Sequence, residues 1–299
     1  MSLEIVKPIT ITDAILTASN VLENDHAAWN SATAYVTGNR VIVVATHSIY
    51  EALRNSTNKP PATSPDDWIF VSPTNKWAMF DTSNTTKTRR ALTMSCTITP
   101  GRVINTVAAI GVTASTAQVI MTDPVDGVVY DKIIAMLGVI PSPTWHAYFF
   151  ADTIDMTEAV FNDMPSYGTA NVQIIFDRAT GDVSCAALLI GQKTAFGVGV
   201  EYGATVGIVD YSRKEADIFG NVNLVRRASA KRIDIEMLVP KNELQGMYQF
   251  FGTITATPCL WIGKKDFDLL TVYGWFNEFE ISIDYPTYAF CSLEITGMT

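Results

Sequence analysis

Charge is scarce in this chain. Asp, Glu, Lys and Arg make up 17% of its 299 residues, and 30 acidic against 21 basic side chains leave a formal charge of −9. Such a balance does not suit a nucleic-acid binder that works by neutralising many phosphates. Histidine is rarer still. His26, His47 and His146 show neither H-E-x-x-H nor H-x-H spacing, so no histidine metal centre is written here. Cys96, Cys185, Cys259 and Cys291 lie far apart and form no C-x-x-C pair, which fits neither a disulfide scaffold nor a zinc site. Buried thiols of a protein made in a reducing cytosol are expected instead. Long apolar runs are missing too: none approaches the roughly 18 residues of a spanning helix. Met1–Pro8 has no basic start followed by an apolar core, so neither membrane insertion nor a secretory signal is read. There is no G-x-S-x-G elbow. Gly197–Gly203 misses the dinucleotide G-x-G-x-x-G by one residue and reads as a flexible connection or bulged strand. No cofactor, metal or catalytic residue is expected.

Apolar residues, by contrast, reach 48%, and the mean hydropathy is +0.17. That rules out a disordered chain. Much apolar surface with little charge and no membrane segment points to burial against other chains. Alternation with period two dominates the pattern. It predicts strands over Arg40–Ala45, Ile49–Leu53, Ala91–Ile98, Val103–Ile110, Ala117–Thr122, Gly127–Ile133, Asn171–Asp177 and Asp182–Ile190. Further strands are expected at Ile233–Val239, Thr271–Trp275, Phe279–Asp284 and Ala289–Ile295, with turns at Pro100-Gly101, Asp126-Gly127 and Thr180-Gly181-Asp182. Between Glu278 and Asp284 the carboxylates take one face and Phe279, Ile281 and Ile283 the other. One helix is predicted, from Leu244, Met247, Tyr248, Phe251 and Ile254 at helical spacing, with Asn242 as N-cap.

The fold expected is mainly β. Composition divides the chain at 1–80, 81–190 and 191–299: a small β module with an N-terminal arm, a jelly-roll-like β-sandwich, and a β-sandwich or barrel with one helix. Asp152, Asp155 and Glu158 would share a face if residues 152–163 held a helical turn or two. Paired carboxylates can hydrolyse sugars, though such a trio is more often a solvated first turn. Asp123-Pro124-Val125-Asp126-Gly127 has the outline of a calcium loop and equally that of a β-turn.

The first segment carries a more specific pattern: Trp29, then Tyr35-x-x-Gly38-x-x-Val41, then Tyr50-Glu51-Ala52, then Pro65-Asp66-Asp67-Trp68. Over about 45 residues, in order and spacing, this resembles the small chitin-binding type of carbohydrate-binding module. The resemblance implies a glycan contact at Trp29, Tyr35, Tyr50 and Trp68, since Trp and Tyr rings stack on the apolar faces of sugars. Those positions are also the ones the family uses mainly for its core. Downstream, Asn75–Asp81 with Trp77 and Phe80, followed by Pro100-Gly101, loosely resembles a jelly-roll of the galactose-binding type.

Residues 212–241 hold seven Lys/Arg against four Asp/Glu, a local excess of positive charge in an acidic chain. Arg213, Lys214, Arg226, Arg227, Lys231 and Arg232 are the expected contacts to acidic neighbouring subunits. The Asp210–Glu215 block with Phe219-Gly220, and the ending Tyr285-Pro286 through Gly297, resemble structural proteins of tailed-phage tails. That resemblance implies a virion component of the tail tip or baseplate, synthesised in the host cytoplasm. It would form a ring of its own copies and contact the tail tube, hub and fibre proteins. A host-surface glycan is the additional partner implied; nucleic acid is not.

Overall fold

The computed structural model describes residues 2–138, 145, 154–200, 203–216, 222–263 and 268–298. Strands dominate, and they pair antiparallel throughout their sheets. The largest sheet runs Glu158–Phe161, Thr106–Ile110, Ala187–Phe196, Leu3–Pro8, Cys259–Ile262, Thr271–Ser282, Tyr288–Gly297, Ser229–Pro240 and Gly199–Val200, with Thr205–Asp210 also pairing Ser229–Pro240. Leu3–Pro8, expected as part of an N-terminal arm, is thus an inner strand. Ile5 is paired on one side with Thr194 and on the other with Trp261. The sheet draws strands from all three segments into which composition divides the chain.

Alternate residues of its strands feed different cores. On one face Val107, Ala109, Leu188, Ile190 and Phe161 pack against a five-stranded sheet formed by Gly127–Ala135, Thr116–Asp123, Asn171–Cys185, Thr88–Ile98 and Leu16–Ser19. Met94, Val119, Met121, Ile174 and Phe176 are that sheet's contribution to this sandwich core. Further along, Ile233, Ile235, Trp261 and Leu293 pack against Met247, Phe251 and Ile254 at the helix Lys241–Thr253. Residues of the opposite parity, Val6, Ala108, Leu189, Leu260 and Tyr273, form a third cluster. Strands buried on both faces are written as unbroken apolar runs, which accounts for Ala186–Ile190. The sheet curls into a half-barrel. Glu158 on one edge strand comes within electrostatic reach of Lys231, which lies towards the other edge.

Four local expectations change. The helix begins at Lys241 behind Pro240, and no side chain caps it, so Asn242 is an interior residue. Pro240 is extended, and its fixed φ makes a natural entry to the first turn. Tyr248 faces solvent while Met247, Phe251 and Ile254 are buried, because one residue of helix turns the side chain about 100° away from the apolar stripe. The segments either side of Thr180-Gly181-Asp182 are one strand, Asn171–Cys185, and not two. Between the pairs Asp177↔Thr93 and Asp182↔Ala91, four residues bulge opposite Leu92, and Gly181 (φ +85°) takes the left-handed conformation there. Thr271–Ser282 is likewise continuous across a bulge between Phe276 and Glu278.

All four cysteines are reduced and buried. Burial raises the thiols from 9.0 to about 12 for Cys185 and Cys259 and to about 11 for Cys291. A group whose folded pKa is raised contributes its stability fully below the unfolded pKa and loses it as pH climbs towards the folded value. The melting temperature is therefore expected to fall between pH 9 and pH 11, and to fall less in Cys→Ala variants. Thiol reagents should label the native protein slowly and the unfolded chain completely.

Candidate functional site

The small module is built on the sheet Arg40–Val43, Ser48–Ala52 and Trp68–Pro73, with Ala34–Tyr35 paired to Ser56–Thr57 beside it. Its core is four residues deep: Tyr35, Val41, Ala52 and Trp68. Tyr35 meets Trp68 edge-on at 5.1 Å, and its hydroxyl oxygen accepts a hydrogen bond from the Asn30 amide at 2.8 Å. The Trp68 indole donates to the Lys59 carbonyl at 2.9 Å, which ties down the loop before it. Arg54 beside Asp67 anchors the same loop at 2.5 Å and holds the Asp67 carboxyl below its usual range. Two of the four residues predicted to touch glycan are therefore pillars of the fold, with Trp68 only 2% exposed. Trp29 and Tyr50 pack partly against this core. Sequence reasoning missed Phe70, which is 53% exposed on the edge strand Trp68–Pro73 and meets Tyr50 edge-on at 6.0 Å. Alternation places it on the same face as buried Trp68, two residues away, so no local signal marks its exposure on this edge strand.

His47 fastens the module to the rest of the protein. It occupies the left-handed region (φ 51°) and stacks on Trp77 with centroids 4.1 Å apart and planes 20° from parallel. Its Nδ1 lies 3.0 Å from Glu23 and its Nε2 3.0 Å from Asp13. Glu23 also accepts from the Thr74 hydroxyl at 2.9 Å, and Asp25 accepts from the Asn75 amide at 3.0 Å. A stacked ring and two polar contacts together are worth about 1–3 kcal/mol. His47→Ala is expected to loosen the module by that amount, seen as faster amide exchange and proteolysis near Glu23 and Thr74, with the sandwich core unchanged.

The helical turn that would bring Asp152, Asp155 and Glu158 to one face is not formed among the described residues. Asp152 lies outside the described residues, and Ile154–Asp155 and Glu158–Phe161 are strands, so Asp155 and Glu158 share no helical face. Pairing with Thr106–Ile110 places Ala159 and Phe161 in the core, and an extended backbone is what that pairing requires. Burial pushes the Glu158 carboxyl up against the opposing pull of Lys231, although the residue still reaches solvent. The Asp123–Gly127 segment is a turn. The Asp123 carboxylate accepts from the Thr169 hydroxyl and from the amides of Val125 and Asp126, contacts that hold it below its usual pKa. Among the described residues no group of three or more His, Cys, Asp or Glu could hold a metal ion. His26 is exposed; His146 lies outside the described residues, as do Glu201 and Tyr202 of the glycine-rich stretch and the Phe219-Gly220 pair. No described helix is long and apolar enough to cross a membrane.

The six basic residues divide in their roles. Arg213 pairs with Glu215 at 2.6 Å, Lys214 with Asp210 at 2.7 Å, and Arg232 with Asp234 and Glu294 at 3.1 and 3.0 Å. Lys214 and Ser212 keep the Asp210 carboxyl strongly depressed. Lys231 is half-buried and donates to the Thr271 carbonyl at 2.6 Å. Arg226 and Arg227 are exposed, and their guanidinium groups have no ion-pair partner among the described residues. They follow directly on an arm that continues from Thr205–Asp210 into the hairpin Arg213–Ala216 with Val222–Val225. Apolar side chains on this arm stand in solvent: Ile208 is 80% exposed and Leu224 67%.

Comparison of the chain with protein-family models and with curated proteins finds no match.

Proposed function

We propose that the protein is a non-enzymatic structural component of a tailed-phage virion, a tail-tip or baseplate subunit that forms a symmetric ring and links tail tube, hub and fibres. The observation that carries this reading is the arm formed by residues 205–216 and 222–225. Its exposed Ile208, Val222 and Leu224 contribute nothing to the cores of their own chain. Apolar side chains presented in this way mark a surface made for another chain. Low charge and an open sheet, whose edge strands offer unpaired backbone groups, support the same conclusion. The test is the mass of the purified chain in solution, together with antibody labelling of virions in electron micrographs. A ring-sized assembly and label at the tail tip are expected; a strict monomer absent from particles overturns the proposal.

A second reading, an adhesin that grips host-surface glycan, is favoured by exposed Phe70 beside half-buried Tyr50. Aromatic rings facing solvent on a small rigid sheet suit stacking on sugars, and many copies in a ring would multiply a weak grip. Retention on host polysaccharide, lost in Phe70→Ala, is the expected result; no retention by the assembled protein rejects this role.

A further inference from the structure

The face of the curled sheet turned away from the helix carries an unusual charge pattern. In the register of three neighbouring strands, Asp234, Glu294 and Glu278 stand directly abreast, and in the next open rank Glu236, Ser292 and Glu280 do the same. Like charges abreast on one face of a sheet repel. Arg232 answers two of them, Asp234 and Glu294. Glu236, Glu278, Glu280 and Asp284 have no ion-pair partner among the described residues. Glu236, Glu280 and Asp284 line a groove of about 770 Å³ with Ile281 and Phe290, and Glu278 lines the hollow of about 300 Å³ that continues it beside Thr205.

The same chain carries the complement. Arg226 and Arg227 are its exposed guanidinium pair, next in sequence to the exposed Leu224 and Val225. Basic groups beside apolar ones meet acidic groups beside apolar ones, and neither Arg226 and Arg227 nor Glu236, Glu278, Glu280 and Asp284 have an ion-pair partner among the described residues. Because the arm's apolar residues stand in solvent, the copy that bears the arm does not fill its own groove.

We propose that the arm of one copy seats in the acidic groove of the next. Arg226 and Arg227 meet Glu236, Glu278, Glu280 and Asp284, while Leu224 and Val225 pack on Phe290. The contact joins two different surfaces, so it is head-to-tail and closes into a ring when the rotation per copy permits. This rests on the ring reading above and supplies the contact that reading lacks. Two desolvated guanidinium groups in such a contact govern dissociation, and reversing both is expected to weaken association about 100-fold.

The test is a charge swap, read by the concentration dependence of assembly mass. Arg226→Glu with Arg227→Glu, and separately Glu278→Lys with Glu280→Lys, should each leave the chain folded and monomeric where the unaltered protein assembles. Mixing the two variants, or combining all four changes in one chain, should restore assembly. Restoration also separates a lost contact from a lost fold, since a misfolded chain is not rescued by its complement. The milder Arg226→Ala with Arg227→Ala should give a smaller loss and a weaker dependence of assembly on salt. If the unaltered protein assembles and none of the variants alters it, this contact is wrong and the ring reading stands. If the unaltered protein stays monomeric at every concentration, both are overturned. If the arginine changes leave assembly intact but abolish retention on a phosphocellulose column, the arm serves a polyanion and the proposal fails.

Discussion

Gly274→Val is expected to prevent the large sheet from forming, with loss of cooperative unfolding or a destabilisation of more than about 4 kcal/mol. Gly274 sits in Thr271–Ser282, directly opposite Gly297, with Cys259 on its other side. A Cβ at 274 would run into the Thr296 carbonyl oxygen and come within 2.7 Å of the Gly297 Cα. Both are backbone atoms, and no rotamer change relieves the clash. The Gly274 carbonyl also accepts the indole N–H of fully buried Trp261 at 2.9 Å, so moving this strand strands a buried donor in the core as well. Even Gly274→Ala is expected to be severe. Gly207→Ala makes the control, because open space surrounds that position. Circular dichroism and thermal melts of the three variants check the ordering.

The second large effect separates the two roles of the module's aromatics. Trp68→Ala removes the largest side chain from a four-residue core, along with the indole bond to Lys59, and is expected to cost about 3–5 kcal/mol. A module this small has little else to hold it, so the segment between its junctions at Glu23 and Thr74 should unfold while the sandwich stays intact. Phe70→Ala, two residues away on the same strand, is expected to change stability by less than about 1 kcal/mol, because its ring is half in solvent. Any polysaccharide retention should disappear in Phe70→Ala while the fold survives. Proton NMR of the indole resonances, paired with a polysaccharide pull-down, reads both outcomes. Retention that survives Phe70→Ala and vanishes only with Trp68→Ala would assign the effect to unfolding and remove Phe70 from consideration.

These contrasts show where local pattern is informative. The alternation expected from Glu278 to Asp284 holds as far as Ser282, with Phe279 and Ile281 packed towards the helix and Glu278 and Glu280 facing away, but the strand ends there and Ile283 stands in solvent. That pattern could not reveal that Glu278 stands abreast of Glu294 and Asp234, because register between strands is a long-range choice. The basic segment was visible as composition. Which of its members were already spent was not, since Arg232 meets Glu294 only after Ser229–Pro240 has paired with Tyr288–Gly297. Tyr35, Tyr50, Trp68 and Phe70 look alike as aromatic residues in strands. Burial of Tyr35 and Trp68 and exposure of Phe70 depend on how the module's strands and loops pack, with Phe70 on an edge strand.

By itself, then, the amino-acid order determined the β character of the chain, the inward and outward faces of most strands, and the burial of its cysteines. Those properties follow from side-chain hydropathy repeating every second residue, which is local information. Only the tertiary structure decided that Leu3–Pro8 is an inner strand between Ala187–Phe196 and Cys259–Ile262, that residues 154–161 are extended, and that a curled sheet gathers carboxylates from three strands into one groove. Strand pairing joins residues distant in sequence through backbone hydrogen bonds that every residue except proline can both donate and accept. No local pattern names the partner.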